Sequence, residues 1–297
     1  VPADKKDRFT YLTKTTSRNN LMSLKFTKMH GLGNDFMVID ATRHAVPLTP
    51  DKIKILSRRD TGVGFDQCLV VEPSTQPNID FFYRIFNADG TPVGQCGNGA
   101  RCLARFIQHY GLSPKTTLRV ATTTTELTLH INPDKTVTVD MGCPVWAPEY
   151  IPLLEPKEEK SYALTLAHHA PVCVHAVALG NPHAIIMVDD IKQAPVDSLG
   201  PQIETHPHFP EHTNVGFLEL DTPDHILLRV HERGAGETQA CGSGAAAAAA
   251  VARRFYDLDT KIRVSVPGGD LWIEWANITD TLKLTGPAEF VYEGKLV

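Results

Sequence analysis

Two cysteines stand in near-copies of one short motif, Cys96-Gly97-Asn98-Gly99-Ala100 and Cys241-Gly242-Ser243-Gly244-Ala245, 145 residues apart. Each motif opens a stretch of helical character. A thiol at a helix start is placed to become a thiolate, because unpaired backbone N–H groups and the helix dipole favour negative charge there. The glycines allow close backbone approach, and the freed N–H groups form a cradle for an anion. A carboxylate held in it would gain hydrogen bonds as its α-proton leaves and charge builds toward an enolate. Two such thiols, one per half of the chain, point to a paired acid and base that invert a carbon centre.

Around this pair stand residues suited to a polar ligand. In His231-Glu232-Arg233-Gly234, Arg233 offers a planar fork for a carboxylate and Glu232 an acceptor for an ammonium. The same segment reads equally as a surface ion pair beside a glycine-rich turn. At the 145-residue offset Glu232 falls on Asn87, so one half presents a charge where the other presents an amide. A zwitterionic, asymmetric ligand between the halves would need that difference. Asn34, after Gly31-Leu32-Gly33, reads as a polar loop residue facing a ligand; the segment lacks the GxGxxG spacing of a dinucleotide site. Asn181-Pro182-His183 follows Gly180 as a similar turn, with His183 placed to tune a thiol.

Other candidates stay with structural readings. Cys68, Cys102, Cys143 and Cys173 read as small hydrophobes, and Cys102, six residues beyond Cys96, points away from it around the helix. No CxxC pair occurs, and His206, His208 and His212 lack a matching carboxylate or cysteine pattern, so no metal is expected. No lysine stands in a cofactor motif, which argues against pyridoxal phosphate.

The elements that must position these groups repeat in outline. Gly33-Asn34 answers Gly180-Asn181 at an offset of 147, Gly64-Phe65 answers Gly216-Phe217 at 152, and the cysteine motifs follow at 145. Strands are expected over 24–29, 36–40, 67–71, 81–86, 117–121, 126–131 and 136–140, then over 172–178, 184–188, 215–220, 225–231, 261–266, 271–275 and 281–285. Helices are expected over 97–110 and 242–256, with a shorter one over 50–59 capped by Thr49 and carrying a proline at its first position. Six consecutive alanines, Ala245–Ala250, suit a central helix that strands approach from several sides, as well as an ordinary amphipathic one. Prolines at 144, 148, 152 and 156 and a charged run over 155–160 mark the boundary between halves.

The chain has 297 residues and a net charge of −5. Residues 1–21 hold five cations and two anions without an apolar period, and read as a leader outside the fold; the remainder then carries −8. An acidic body argues against nucleic acid or an anionic membrane as partner. No apolar run is long enough to span a bilayer. Six sparse cysteines without a secretory signal fit a reducing cytoplasm.

These residues together resemble the diaminopimelate epimerase family, from about Ser23 to Val297. The likeness is carried by HGLGNDF (30–36), GFDQ (64–67), RIFNADG (84–90), QCGNGARC (95–102), MGCPVW (141–146), GNPH (180–183), NVGF (214–217), ERGAGETQACGSGA (232–245) and PGG (267–269). The resemblance implies a cofactor-independent epimerase that interconverts LL- and meso-diaminopimelate in lysine and peptidoglycan precursor synthesis. It makes Cys96 and Cys241 the two bases, with His183 and Glu232 assisting. It places Asn34, Gln67, Asn87, Asn181, Asn214, Glu232 and Arg233 against substrate, and Gly97-Asn98 and Gly242-Ser243 around the reacting carboxylate. It implies an α/β (α+β) fold of two pseudo-symmetric domains, 22–140 plus 287–297 and 141–286, each a mixed sheet curled around a central helix, and a homodimer. The competing readings are a proline or hydroxyproline racemase on the same fold, an isomerase with a carboxylate base, and a thiol or amino-acid sensor without turnover.

Overall fold

The computed structural model describes residues 24–166 and 170–296; the leader read into 1–21 lies outside the described residues. The chain runs β1 (Lys25–Gly31), β2 (Asn34–Asp40), α1 (Pro50–Leu56), β3 (Gln67–Pro73), β4 (Phe81–Asn87), β5 (Pro92–Val93), α2 (Gly97–His109), β6 (Thr117–Ala121), β7 (Glu126–Ile131) and β8 (Val137–Asp140). After β9 (Tyr162–Leu164) the series recurs as β10 (Val172–Ala178), β11 (Pro182–Met187), α3 (Val196–Glu204), β12 (Asn214–Thr222), β13 (His225–Glu232), β14 (Gly236–Thr238), α4 (Gly242–Tyr256), β15 (Lys261–Val266), β16 (Gly269–Glu274) and β17 (Lys283–Gly286). β18 (Glu289–Lys295) follows.

Strand pairing shows the duplication directly. β2 lies antiparallel to β1 and parallel to β3; β4 is antiparallel to β3 and parallel to β6; β7 and β8 add antiparallel. The series β10, β11, β12, β13, β15, β16, β17 repeats those senses in the same order. β8 pairs with β17 and joins the two ribbons, while β18 extends the first at β1 and β9 the second at β10. Phe36 faces Gln67 across β2–β3 as His183 faces Asn214 across β11–β12, a common offset of 147. This corrects the expected match of Gly64-Phe65 with Gly216-Phe217. The former pair precedes β3, whereas Gly216 lies inside β12, where a Cβ would come within 2.7 Å of Ile185.

Alternation on the strands explains the layers. Phe36, Val38, Leu69 and Val71 face α2, while Met37, Ile39, Cys68 and Val70 face Ile53 of α1. In the second ribbon Ile185 and Leu218 join the α4 side, and Ala184, Ile186, Val215 and Phe217 pack on the α3 side with Leu199 and Ile203. Strands covered on both faces read as continuous apolar runs, which is why they stand out in the sequence. β7, with one covered face, alternates cleanly instead. α2 touches β1, β2, β3, β7 and β8; α4 touches β10 to β13 and β15 to β17. Every residue from Ala245 to Ala252 is buried, so the alanine run is the surface against which the second ribbon curls.

Several elements differ from expectation. α1 ends at Leu56 rather than at 59, and its start is as expected, with Thr49 Oγ1 accepting from the Lys52 N–H at 3.3 Å. α3 was not foreseen, because Gly200 and Pro201 inside it read as breakers. Gly200 is there for contact: a Cβ would lie 2.6 Å from the His231 ring. β18 was also unforeseen, being mostly exposed and without alternation.

Candidate active site

Cys96 and Cys241 occupy the N-cap positions of α2 and α4, in extended conformation, with φ of −149° and −114°. The two helix starts abut. A Cβ placed on Gly242 would stand 3.7 Å from Gly97 Cα and 3.7 Å from Asn98 Oδ1. Glycine at both positions lets two positive helix ends meet backbone to backbone. Each cysteine loop is also held by the glycine turn of the other half. Gly180 packs on Gln95, where a Cβ would be 3.0 Å from Oε1, and Gly33 packs on Gln239, where it would be 3.1 Å from Cβ.

The Cys96 Sγ accepts from the Gly99 N–H at 3.4 Å and lies 3.8 Å from Asn34 Oδ1. Cys241 is buried, with its Sγ 3.6 Å from Ser243 Oγ. Burial in the folded chain opposes the ionisation that a helix start favours. Burial pushes the Cys96 thiol up to about 11, against the Gly99 N–H, and the Glu232 carboxylate adds to the rise. Cys241 is raised well above the ordinary thiol value by burial and then by the charge of Glu232, which outweigh Ser243 and the Gly244 N–H. Desolvation acts over the whole surrounding shell, whereas the helix start contributes only its first turn.

Asn34 corrects its loop reading: it is the first residue of β2, after a two-residue turn in which Leu32 (φ 55°) and Gly33 (φ 89°) both take left-handed backbone. Its Nδ2 donates to Asp66 Oδ2 at 3.1 Å, and its Oδ1 accepts from Asn98 Nδ2 at 3.3 Å. Asn98 Nδ2 also donates to the Ala240 carbonyl at 2.8 Å, directly before Cys241. Gln67 and Asn87 face each other across β3–β4, joined by Nε2 to Oδ1 at 3.1 Å, and Gln67 Oε1 is buried without a partner among the described residues.

His183 is likewise a strand residue, in β11, fully buried. Its Nε2 meets Asn181 Oδ1 at 3.0 Å and its Nδ1 has no partner among the described residues. Burial, aided by the Arg233 charge, pushes its pKa down to about 3, so the imidazole is neutral near pH 7. Asn214 donates to the Pro182 carbonyl at 2.9 Å and accepts from the Arg233 N–H at 3.0 Å. Arg233 is exposed, with Nη1 donating to the Glu211 carbonyl at 2.9 Å. Glu232 accepts from Thr238 Oγ1, and burial raises its pKa.

Several supports carry no motif in the sequence. Glu204 accepts from the Gly234 N–H at 2.8 Å and meets His231 Nε2 at 2.8 Å, which fixes the loop bearing Arg233. Asp66 holds Asn34 and the Asp35 N–H. Asp35 in turn binds Lys28 at 2.6 Å and Arg59 through both oxygens. Burial works against its charge, but hydrogen bonds from Arg59 and then Lys28 hold its carboxyl well below the usual range. A folded-state pKa below the unfolded value contributes stability above about pH 4, and that stability is lost as pH falls toward the folded value. Asp35→Asn is therefore expected to cost about 2 kcal/mol at pH 7. In urea titrations the gap to wild type should narrow progressively below about pH 4.

The sequence profile of the family "Diaminopimelate epimerase" matches residues 26–147 and 175–291. The chain belongs to the diaminopimelate epimerase family. It is 56% identical over 276 residues to the diaminopimelate epimerase of Legionella pneumophila strain Corby, covering 93% of this chain and 100% of that one. The same values hold for the Philadelphia 1 strain protein. Membership makes the chain an isomerase that acts on an amino acid. Among solved structures it is similar in fold to a hydroxyproline epimerase from Agrobacterium vitis (TM-score 0.66, 12% identity, 92% of each chain covered). It is also similar to a PhzF-family phenazine biosynthesis protein from Bacillus anthracis (TM-score 0.65, 16% identity, 93% of this chain and 99% of that one covered). Those likenesses establish the fold, two mixed ribbons each curled around a helix.

Proposed function

We propose that the protein interconverts LL- and meso-diaminopimelate by a two-base mechanism in which Cys96 and Cys241 face opposite sides of one α-carbon, without a cofactor. The observation that carries this reading is the meeting of α2 and α4 at Gly97 and Gly242, each helix with a cysteine at its N-cap position.

The substrate α-carboxylate lies between the helix starts, against the N–H groups of Gly97-Asn98 and Gly242-Ser243. One cysteine, as thiolate, takes the α-hydrogen: the C–H bond breaks and an S–H bond forms. The electron pair spreads into the carboxylate, where two helix ends stabilise it. The opposite thiol then gives its proton to the other face, so configuration inverts with no net change in protons or electrons. The reverse reaction exchanges the roles. Both free thiols have raised pKa values, so ionisation of one is coupled to binding. A substrate ammonium beside Glu232 offsets the negative charge that holds Cys241 up. His183, uncharged, contributes a neutral ring held by Asn181. Asn34, Gln67, Asn87, Asn181, Asn214 and the Arg233 fork bind the polar groups of substrate, including its distal amino-acid end. A small ring such as proline has no such end.

The two units are 22–140 plus 287–297 and 141–286 under this reading, and closure between them excludes water. A homodimer is part of this reading; sedimentation should give twice the chain mass. No described helix is long and apolar enough to cross a membrane, and the cytoplasm is the proposed location.

The test is separation of isomers after incubating reduced, desalted protein with LL-diaminopimelate in chelator. Meso isomer should form, and the same mixture should be reached from meso. Inversion of proline or hydroxyproline in place of diaminopimelate would overturn the assignment.

A further inference from the structure

We propose that Arg101, enclosed beneath the two helix starts, is a positioning residue for both thiols at once, acting through the side-chain amide of Asn98. The proposal rests on the assignment of Cys96 and Cys241 as the bases.

Arg101 is fully buried, and among the described residues its partners are two neutral oxygens rather than a carboxylate. Nη2 donates to Asn98 Oδ1 at 2.9 Å and Nε to the Pro287 carbonyl at 3.0 Å, in the crossover from β17 to β18. Nη1 is buried without a partner among the described residues. The guanidinium lies where two strand ends carry no side chain. A Cβ on Gly31 would be 3.2 Å from Nη2, and one on Gly286 would be 3.2 Å from Nε. Desolvating a cation with no carboxylate partner is costly, and its two hydrogen bonds to neutral oxygens only partly offset that cost. Its retention calls for a task that needs a fork of donors.

The task follows from direction. A guanidinium only donates, so the Asn98 oxygen must face it. The Asn98 Nδ2 is thereby turned to the other side, where it donates to the Ala240 carbonyl at 2.8 Å and to Asn34 Oδ1 at 3.3 Å. The first bond fixes the peptide just before Cys241. The second fixes the amide oxygen that lies 3.8 Å from the Cys96 Sγ. Asn34 completes the sequence by donating to Asp66. One cation thus orients a line of amides that ends at both thiols, on both sides of the seam between halves. Its charge also favours the Cys96 thiolate. It remains protonated at neutral pH, although burial lowers its pKa to about 10.

The experiment compares Arg101→Met and Arg101→Lys with wild type in both reaction directions, alongside melting temperature and the pH dependence of Cys96 alkylation by iodoacetamide in the unliganded protein. For Arg101→Met the melting temperature should fall by a few degrees at most, since relief of the buried charge offsets the loss of donors to Asn98 Oδ1 and the Pro287 carbonyl. Its kcat should fall in both directions by on the order of tenfold, with KM moving far less. Its alkylation profile should move up by about one pH unit, matching a tenfold smaller thiolate fraction. Arg101→Lys keeps the charge and loses the fork, so its alkylation profile should stay near wild type while kcat remains reduced in both directions. Native kcat of Arg101→Met in either direction would overturn the proposal. So would a loss explained wholly by the unfolded fraction. If Arg101→Met does not fold, Arg101→Lys decides: native kcat in both directions refutes the role of the fork. Should wild type fail to turn over diaminopimelate, the functional reading fails. The alkylation profiles, which need no turnover, then still decide the role of Arg101.

Discussion

Cys96→Ala and Cys241→Ala each abolish inversion, with kcat in both directions falling by at least about a thousandfold, the scale set by loss of a positioned acid or base. The loss should not come from unfolding. Cys96 caps α2 with one weak sulfur hydrogen bond, and removing a cap costs about 1 kcal/mol. Cys241 holds the N-cap position of α4 with a side chain that contributes still less to the cap. Circular dichroism and melting curves near wild type, with turnover gone, are the expected pair of results. In a two-base scheme each cysteine serves once as base and once as acid, so the two variants should be equally inert from either isomer. A variant that retained near-native turnover in one direction would leave only one thiol in the mechanism.

Ala248→Leu is expected to cost about 3 kcal/mol or more, at the upper end for overpacking a filled core. Ala248 has no exposed surface, and α4 is flanked by strands around most of its circumference. Three added carbons can be accommodated only by pushing a strand off the helix. In a chain of this size that loss lowers the melting temperature by roughly 6–12 °C. The same residue type at exposed Lys54 of α1 should change stability by less than about 0.5 kcal/mol. Ala248→Leu with a native melting curve would mean that the ribbon does not pack on the alanine run as closely as described.

What the sequence disclosed depended on how local the cause was. β6, β7, β10, β15 and α4 fall on their expected residues, since alternation, apolar runs and alanine content act within the segment itself. α3 was hidden because Gly200 and Pro201 serve its contact with His231 and its neighbours, while locally they read as punctuation. Asn34 and His183 look like turn residues in the sequence for a similar reason: the glycines before them are turns, and the strands begin sooner than alternation shows. The cysteine motifs announced the two helix starts, but not that they touch, because nothing in either motif encodes the other's position. The raised thiol pKa values were equally out of reach, since burial by the whole fold, and not the helix start, sets them. Arg101 did leave a signal: it is a charge on a helix whose neighbours Ala100, Cys102, Leu103 and Ala104 are all buried.

The most direct test of two opposed thiols is a short incubation of reduced protein with LL-diaminopimelate in deuterium oxide, stopped at low conversion, with the isomers separated and weighed. In deuterium oxide the donating thiol carries deuterium, while the other takes protium from substrate. The meso product should therefore carry one α-deuterium and the remaining LL-diaminopimelate none. Deuterium appearing in the remaining substrate as fast as in product would mean that one group serves both faces, and the two-thiol account would be wrong.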